Sequence, residues 1–244
     1  MDAAKFEPLG GGVGVFTAKN HRVNTDSVLL AAFCTPRAHE RACDLGTGCG
    51  VIPLLWFSRG GPAYAAGVEI MPEAAELCRR SIEHGGLAGR FELIRGDLRR
   101  LSLRAGTFDL VCMNPPYRRT GTGILSKSEA GRAARFEAAC AFPEIAAAAR
   151  RLLRHGGRFC LCHRPERLPE ILRALSDAGL EPKRLRLVQD SAGKAPFLFL
   201  LEAKKGAQPS LRVATALILR DGDGRYTAEA RELCGDHGAG GSGG

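Results

Sequence analysis

The amino-acid sequence predicts an α/β fold in which a seven-stranded, mostly parallel sheet carries helices on both faces. The first observation is that strand-like apolar segments alternate with helical segments from Arg41 onward, which favours a parallel sheet. The second is a glycine-rich turn, Asp44–Gly50, between one such strand and the next helix. The third is a pair of strands after Pro182 with no helix between them, which predicts an antiparallel strand at one edge.

Each element is predicted from its local pattern. Gly12–Val23 alternates in polarity and turns at Lys19-Asn20, which predicts a hairpin, and Asn24–Cys34 begins with capping residues and continues with helix formers. The seven strands are RACDL (41–45), AYAAGVEI (63–70), RFELIRGDL (90–98), FDLVCMN (108–114), RFCLCH (158–163), KRLRLVQD (183–190) and APFLFLLEA (195–203). The later helices are VIPLLWFS (51–58), MPEAAELCRRSIEHGGL (71–87), a long region at 128–157 broken by Pro143, and ERLPEILRALSDAGL (166–180).

The composition is that of a globular protein with a substantial core. Of 244 residues, 45% are hydrophobic and 25% are charged. The net charge of +9 is compatible with a nucleic-acid partner and equally with charge that only confers solubility. No apolar run reaches the roughly 18 residues of a membrane span, and MDAAKFEPLG is not a signal peptide, so we expect a cytoplasmic protein. The nine scattered cysteines are interpreted as reduced core residues, and we expect no metal site.

The glycine-rich turn predicts a binding site for a cationic cofactor. It follows a strand and opens a helix, where backbone N–H groups face a ligand. The dinucleotide fingerprint would need glycine at position 51, which is Val51. Asp44, at the entrance of the turn, would repel a pyrophosphate and attract a cation. S-adenosylmethionine carries an ammonium and a sulfonium group and no phosphate, so it fits this turn better than a dinucleotide does.

Two more carboxylates end the next two strands. Glu69 can accept hydrogen bonds from the ribose hydroxyls, and Asp97 can accept one from the adenine amine while Leu98 packs on the ring. Three acids at successive strand ends favour a ligand over three unrelated caps or turn residues. With these residues the chain resembles class I S-adenosylmethionine-dependent methyltransferases, which have a Rossmann-like fold. The other residues that this resemblance assigns to the cofactor are Gly46, Thr47, Gly48, Gly50, Ile70 and Asn114.

The fourth strand ends at Asn114-Pro115-Pro116-Tyr117, beside the predicted methyl donor. An amine on an aromatic ring or acyl group is a poor nucleophile, because its lone pair is delocalised. The Asn114 side-chain oxygen and the Pro115 carbonyl can accept its N–H groups, and the two prolines keep those acceptors rigid. Tyr117 offers a flat face to a planar substrate. The motif resembles the signature of amino-methyltransferases, whose substrates are adenine N6, guanine N2, cytosine N4 or a protein glutamine amide.

The whole chain is similar to one family, the bacterial valine-tRNA adenine-N6 methyltransferases. The similarity is carried by NTDSVLLAAF (24–33), DLGTGCGVIPLL (44–55), NPPYRRTGTG (114–123), SEAGRAARFE (128–137), HRPERLPEIL (163–172), LEPKRLRLV (180–188), FLLEAKKGAQPSLRV (199–213) and DGRYTAEARELCG (223–235). It implies that the substrate is the adenosine beside the anticodon, in a loop of unpaired bases. It also implies that Thr25, Asp26 and Ser27 close over the methionine end of the cofactor. The alternative is an rRNA guanine-N2 or a protein glutamine-N5 methyltransferase.

The sequence also predicts how the chain is divided. We expect residues 1–35 to form a hairpin and helix that cover the cofactor site, residues 36–235 to form the methyltransferase domain, and the glycine-rich residues 236–244 to be a disordered tail. We expect a monomer or a homodimer. Between Arg118 and Arg154, eight Arg or Lys residues outnumber three Glu residues, which favours a track for phosphates. The residues predicted to contact the tRNA anticodon stem-loop are Arg118, Arg119, Arg132, Arg135, Lys183 and Arg184.

Overall fold

A computed structural model describes residues 4–115 and 141–235. Within these ranges the helices are α1 (Thr25–Phe33), α2 (Val51–Ser58), α3 (Pro72–His84), α4 (Phe142–Leu152), α5 (Leu168–Asp177) and α6 (Ala228–Cys234). The strands are β1 (Lys5–Gly10), β2 (Val13–Thr17), β3 (Arg41–Leu45), β4 (Tyr64–Glu69), β5 (Phe91–Arg95), β6 (Phe108–Met113), β7 (Leu153–His163), β8 (Leu180–Ser191), β9 (Leu198–Lys205), β10 (Arg212–Val213) and β11 (Leu217–Arg220). No helix in the described ranges is both long enough and apolar enough to cross a membrane.

The predicted α/β class is confirmed, with a mostly parallel sheet at the centre. In the described residues this sheet has nine strands in the order β10-β8-β9-β7-β6-β3-β4-β5, with β11 also paired to β8. Strands β3 to β7 pair in parallel with one another. Helices α2, α3 and α4 lie in the connections between β3 and β4, β4 and β5, and β6 and β7, as is usual for crossovers between parallel strands.

The end of the sheet differs from the sequence prediction in two respects. The antiparallel strand, β9, lies between β7 and β8 rather than at the edge. Two short strands, β10 and β11, then extend the sheet beyond β8, so the count is nine rather than seven. The predicted pairing of the last two long strands is correct, but a short connection between them does not specify which of the two is outermost.

Alternate residues of the central strands feed two cores, one on each face of the sheet. Ala42 and Cys112 belong to the core formed with α1, α2, α3 and α6. Cys43 and Val111 belong to the core formed with α4 and α5. Helix α2 is apolar on all sides and buried throughout Val51–Phe57, as expected for a helix enclosed by a core. Within the described ranges both faces of the sheet are therefore covered, which leaves its edges and the ends of its strands for binding.

The N-terminal hairpin packs on the first of these helical layers. It is formed by β1 and β2 and turns at Gly10–Gly12, where all three glycines have positive φ. The sequence predicted a later hairpin; the residues Lys19-Asn20 instead form a smaller turn closed by a bridge between Ala18 and His21. The Phe16 amide donates to Ser81 Oγ of α3 at 2.9 Å. The hairpin is thus attached to the helix that follows β4.

The region around Pro143 also differs from the prediction of a broken helix at 128–157. Pro143 lies in the first turn of α4, where its missing N–H has no intrahelical partner to lose. The helix ends at Leu152, and β7 begins at Leu153 rather than at Arg158. Pairing with β6 shifts between Phe108 and Leu110, so the extra residues form a bulge. Residues 128–140 of the predicted helix lie outside the described ranges.

Candidate active site

The carboxyl ends of three adjacent strands, β4, β3 and β6, carry Glu69, Asp44 and Asn114. Asp44 pairs with Gly67 of β4 and with Cys112 of β6. Glu69 and Asn114 each lie two residues further along their own strands. The structure therefore places these three predicted site residues side by side at the carboxyl ends of the parallel strands, where open α/β sheets bind ligands.

The turn after β3 is shaped by its glycines. Gly46, Gly48 and Gly50 have φ of 71°, 60° and 87°, a region that favours glycine. A Cβ at Gly50 would lie 2.7 Å from the Cys78 sulfur of α3, so this glycine is also required for packing. A Cβ at Gly48 would meet no described atom within 4 Å. The turn is therefore packed at its end and open at its middle, where a ligand can approach the backbone.

Glu69 ties this turn to the end of β4. Its Oε2 accepts from the Gly48 amide at 2.8 Å and its Oε1 from the Met71 amide at 2.7 Å. Each carboxylate oxygen keeps a further lone pair, so both can still accept a hydroxyl proton. Between the two tethered backbone segments, the side chain of Ile70 is 59% exposed although it is a large apolar residue. Ile70 therefore offers an apolar surface next to a carboxylate that is fixed in direction.

Asp44 is buried without full hydrogen bonding. Its side chain belongs to a residue only 1% exposed, and Oδ1 accepts from the Cys112 thiol at 3.3 Å. Oδ2 has no hydrogen-bond partner among the described residues, and neither does the neighbouring Thr47 Oγ1. Burial raises the pKa of Asp44 to about 7, the charge of Glu69 adds to this, and the nearby Thr47 hydroxyl and Cys112 thiol oppose it. Such a carboxyl is stabilised in its charged form by a cation beside it.

Asn114 is held by two side chains from different elements. Its Nδ2 donates to Ser27 Oγ of α1 at 2.9 Å, and its Oδ1 accepts from Cys162 Sγ of β7 at 3.1 Å. Pro115, which follows it, is buried. The remaining residues of the motif, Pro116 and Tyr117, lie outside the described ranges.

The first turn of α1 brings three more predicted residues to the carboxyl ends of these strands. Asn24 caps the helix by accepting from the Ser27 amide at 2.8 Å. Asp26 and Ser27 are buried, and Thr25 is half-buried. Their contact with the methionine end of a cofactor stays a prediction, but the hydrogen bond between Ser27 and Asn114 places this turn beside the motif.

Asp97 caps a short helix, a role that a carboxylate directly after a strand can have instead of binding a ligand. It caps the short 3₁₀ helix Leu98–Arg100 by accepting from the Arg99 amide at 2.9 Å, and it pairs with the Arg99 guanidinium at 2.6 Å. The hydrogen bond with Arg99 lowers the pKa of Asp97 against a smaller effect of burial. Leu98 is buried in the core beneath. The carboxylate therefore remains charged, and its role toward an adenine stays a prediction.

A family model described as the methyltransferase small domain matches residues 9–175. The chain belongs to this family. Two relatives at 28% identity carry the name tRNA1(Val) (adenine(37)-N6)-methyltransferase. The protein from Tolumonas auensis is matched over 209 residues, which cover 85% of this chain and 86% of the relative. The protein from Yersinia pestis is matched over 217 residues, which cover 88% and 86%.

Solved structures support the fold of this methyltransferase. A predicted O-methyltransferase from Agrobacterium tumefaciens superposes with a TM-score of 0.67 over 85% of this chain and 94% of its own, at 24% identity. A putative class I S-adenosylmethionine-dependent methyltransferase from Listeria monocytogenes gives a TM-score of 0.56 over 81% and 67%, at 14% identity. At these identities the likeness concerns the fold alone, which is the class I methyltransferase fold.

The two basic residues of β8 that we predicted to bind tRNA make contacts within the methyltransferase. Arg184 donates to the Phe33 carbonyl at 2.8 Å, pairs with Glu202 at 3.1 Å, and lies 3.9 Å from the centre of the Phe33 ring. Lys183 donates to the Gln208 carbonyl at 2.9 Å and to the Ser210 hydroxyl. Arg184 thus stabilises the carboxyl end of α1, where a cation is favourable. The other four predicted contacts, Arg118, Arg119, Arg132 and Arg135, lie outside the described ranges.

Sequence reasoning missed the thiols that support the site. All eight cysteines in the described ranges are buried and form no disulfide bonds, as the sequence predicted. Two of them nevertheless contact site residues, Cys112 at Asp44 and Cys162 at Asn114. The alternation in RFCLCH placed Cys162 on one face of a strand, but only the strand order shows that this strand adjoins β6.

Proposed function

We propose that this chain transfers the methyl group of S-adenosylmethionine to N6 of an adenosine in the anticodon loop of valine tRNA, next to the anticodon. The observation that carries the proposal is Asn114, which begins an Asn-Pro-Pro-Tyr motif at the strand end beside Asp44 and Glu69. The names of the two relatives, which cover most of this chain, supply the adenine, the tRNA and the position. The proposed substrate is found in the cytoplasm, and we propose that location for the enzyme.

The residues around the glycine-rich turn fit S-adenosylmethionine. The buried and incompletely bonded Asp44 carboxyl suits a cationic partner, and Glu69 presents lone pairs in fixed directions for ribose hydroxyls. Ile70 supplies an exposed apolar surface for the adenine ring. Asp97 and the first turn of α1 complete the proposed contacts. When bound, the cofactor supplies an electrophilic methyl group on sulfur.

Asn114 and Pro115 would act on the substrate amine. The Asn114 oxygen and the Pro115 carbonyl accept its two N–H groups, which directs the nitrogen lone pair toward the methyl group. Positive charge would develop on N6 during methyl transfer, and these two acceptors would stabilise it until one proton is lost to solvent. Holding the amine in line contributes at most roughly 7–11 kcal/mol in the best intramolecular models. Tyr117 is proposed to stack on the base.

Mass spectrometry of tRNA nucleosides tests this function. A strain that lacks the gene should lose N6-methyladenosine from valine tRNA, and the gene supplied in trans should restore it. Purified protein should label tRNA, rather than ribosomes or release factor, from radioactive S-adenosylmethionine. Labelling of ribosomes or release factor alone would favour the guanine-N2 or glutamine alternative and contradict the proposal.

Glu69→Ala should weaken S-adenosylmethionine binding by roughly tenfold to a hundredfold. The change removes the acceptor for the ribose hydroxyls, and leaving such groups unpaired costs about 1–3 kcal/mol. Titration calorimetry measures the dissociation constant. Glu73→Ala, an exposed acid in the first turn of α3, is the matched control and should bind like the parent. Because Glu69 also accepts from two backbone amides, the melting temperature is measured in parallel. Unchanged affinity in Glu69→Ala would remove this residue from the site.

Charge reversal should locate the surface that binds the tRNA backbone. Arg118→Glu and Arg119→Glu together should lower tRNA affinity and make it less dependent on salt, by about one unit of slope for each phosphate that the variant no longer neutralises. Lys19→Glu with Arg22→Glu is a second test, because both residues are exposed on the loop that joins the hairpin to α1.

Arg104→Glu is the control for both pairs. Arg104 is exposed in the turn before β6, whereas Asn114 follows the last residue of β6, so the two residues lie at opposite ends of this strand. Filter binding at several salt concentrations gives affinity and slope together. If both double variants bind tRNA like the parent, or if Arg104→Glu loses as much affinity as they do, a tRNA-binding surface near Asn114 would be excluded.

A further inference from the structure

The amide of Asn114 is anchored at both of its ends by side chains outside the Asn-Pro-Pro-Tyr motif. Ser27 Oγ lies 2.9 Å from Nδ2, and Cys162 Sγ lies 3.1 Å from Oδ1. An asparagine amide has two N–H donors and two carbonyl lone pairs. The two hydrogen bonds therefore use one donor and one lone pair, and leave one of each for the substrate.

Both anchoring groups are fixed by the fold. Cys162 lies on β7, one residue past the pair formed by Met113 and Leu161. It is fully buried, and burial followed by the charge of Asp26 raises the pKa of its thiol well above the ordinary value, so it stays protonated as a donor. Ser27 is buried in the first turn of α1. The far end of that helix is attached to β8 by Arg184, as described above.

We propose that Ser27 and Cys162 are positioning residues that set the plane and the sense of the Asn114 amide for methyl transfer. This inference rests on the proposed function. The terminal torsion of asparagine is broad and roughly two-fold, so the free side chain could present either its oxygen or its NH₂ group to the substrate. An NH₂ group facing the amine would oppose two donors. The thiol donor on the oxygen side selects the productive sense.

This assignment changes the part given to Ser27 by the sequence. The family resemblance implied that Ser27 closes over the cofactor. In the structure its hydroxyl accepts from Asn114 and so connects α1 with the end of β6. The capping bond with Asn24 is made by the backbone N–H of Ser27, which donates to the Asn24 side chain, and not by the hydroxyl. Removing the hydroxyl therefore leaves the helix cap in place and removes only the hydrogen bond with the amide.

Single-turnover methyl transfer with saturating tRNA and cofactor tests the proposal. Cys162→Ala and Ser27→Ala should each lower the rate by about 10- to 100-fold, the order of loss that follows a small misplacement of a reacting group. Cys162→Ser keeps a donor and should recover most of the rate. S-adenosylmethionine affinity in the Cys162 variants should match the parent. Cys160→Ala, two residues earlier on the same buried face, is the control and should react at the parental rate.

A second readout keeps this test separate from the proposed function. The side-chain amide of Asn114 is observed by nitrogen-15 NMR and assigned by its disappearance in Asn114→Ala. Its two proton signals should move in Cys162→Ala and Ser27→Ala and stay in place in Cys160→Ala. If the parent methylates no tRNA, the proposed function fails and the NMR arm still decides the anchoring. A parental rate in Cys162→Ala, a Cys162→Ser as slow as Cys162→Ala, or unmoved amide signals would overturn the inference.

Discussion

Asn114→Ala is expected to lower the single-turnover rate of methyl transfer by about 100- to 1,000-fold, the loss typical of removing one preorganised transition-state contact. The side-chain oxygen accepts from an amine that becomes cationic only as the methyl group moves. Its contribution is therefore realised in the transition state, and kcat and kcat/KM should fall together. S-adenosylmethionine affinity should fall far less than the rate, because Asp44 and Glu69 are retained.

Rapid-quench assays with saturating tRNA give this rate directly. Calorimetry on the same variant reports cofactor binding, and circular dichroism excludes unfolding. Asn114 is only half-buried, so truncation opens no large cavity in the core. A parental rate in Asn114→Ala would mean that this side chain does not hold the amine, and the mechanism proposed above would be wrong.

The convergence of Asp44, Glu69 and Asn114 could be predicted because of a simple property of parallel sheets. Strands joined by crossover helices run in one direction, so their carboxyl ends meet at one edge. The sequence order of three polar strand ends was then enough to expect a common site. Three glycines in the turn after β3 predicted a tight turn, and all three adopt a positive φ there.

The parts that sequence did not predict depend on contacts between elements far apart in the chain. Arg184 was predicted to contact tRNA, and that contact stays a prediction; what the sequence did not show is that its guanidinium donates to the Phe33 carbonyl, 151 residues away in sequence. The thiol of Cys162 looked like a core residue, but its neighbour across the sheet is Asn114, 48 residues earlier. Local pattern gives the face of a side chain; the partner on that face comes only from the order of the strands.

Asp44→Asn should weaken S-adenosylmethionine binding and remove most of its dependence on pH. In the free protein, burial raises the pKa of Asp44 to about 7. A cationic ligand favours the carboxylate, so the pKa in the complex is lower and binding releases a proton. Affinity in the parent should therefore rise with pH by up to about tenfold per unit below pH 7, and level off above it. The amide of the variant does not titrate, so any slope that remains belongs to the ligand and to other groups.

Stability without cofactor should change in the opposite direction. The unfolded carboxyl ionises at about pH 3.9, whereas the folded one holds its proton up to about pH 7. Between these values the folded state binds more protons, so the parent should lose stability as pH rises from about 4 through 7 and stay lower above it. Asp44→Asn lacks this loss and should be more stable than the parent at pH 8, while it binds cofactor more weakly. Urea unfolding and calorimetry at pH 5, 7 and 8 measure both effects. If Asp44→Asn is instead less stable than the parent at pH 8 and binds cofactor as tightly, the carboxyl serves folding, and Asp44 does not belong to the proposed cofactor site.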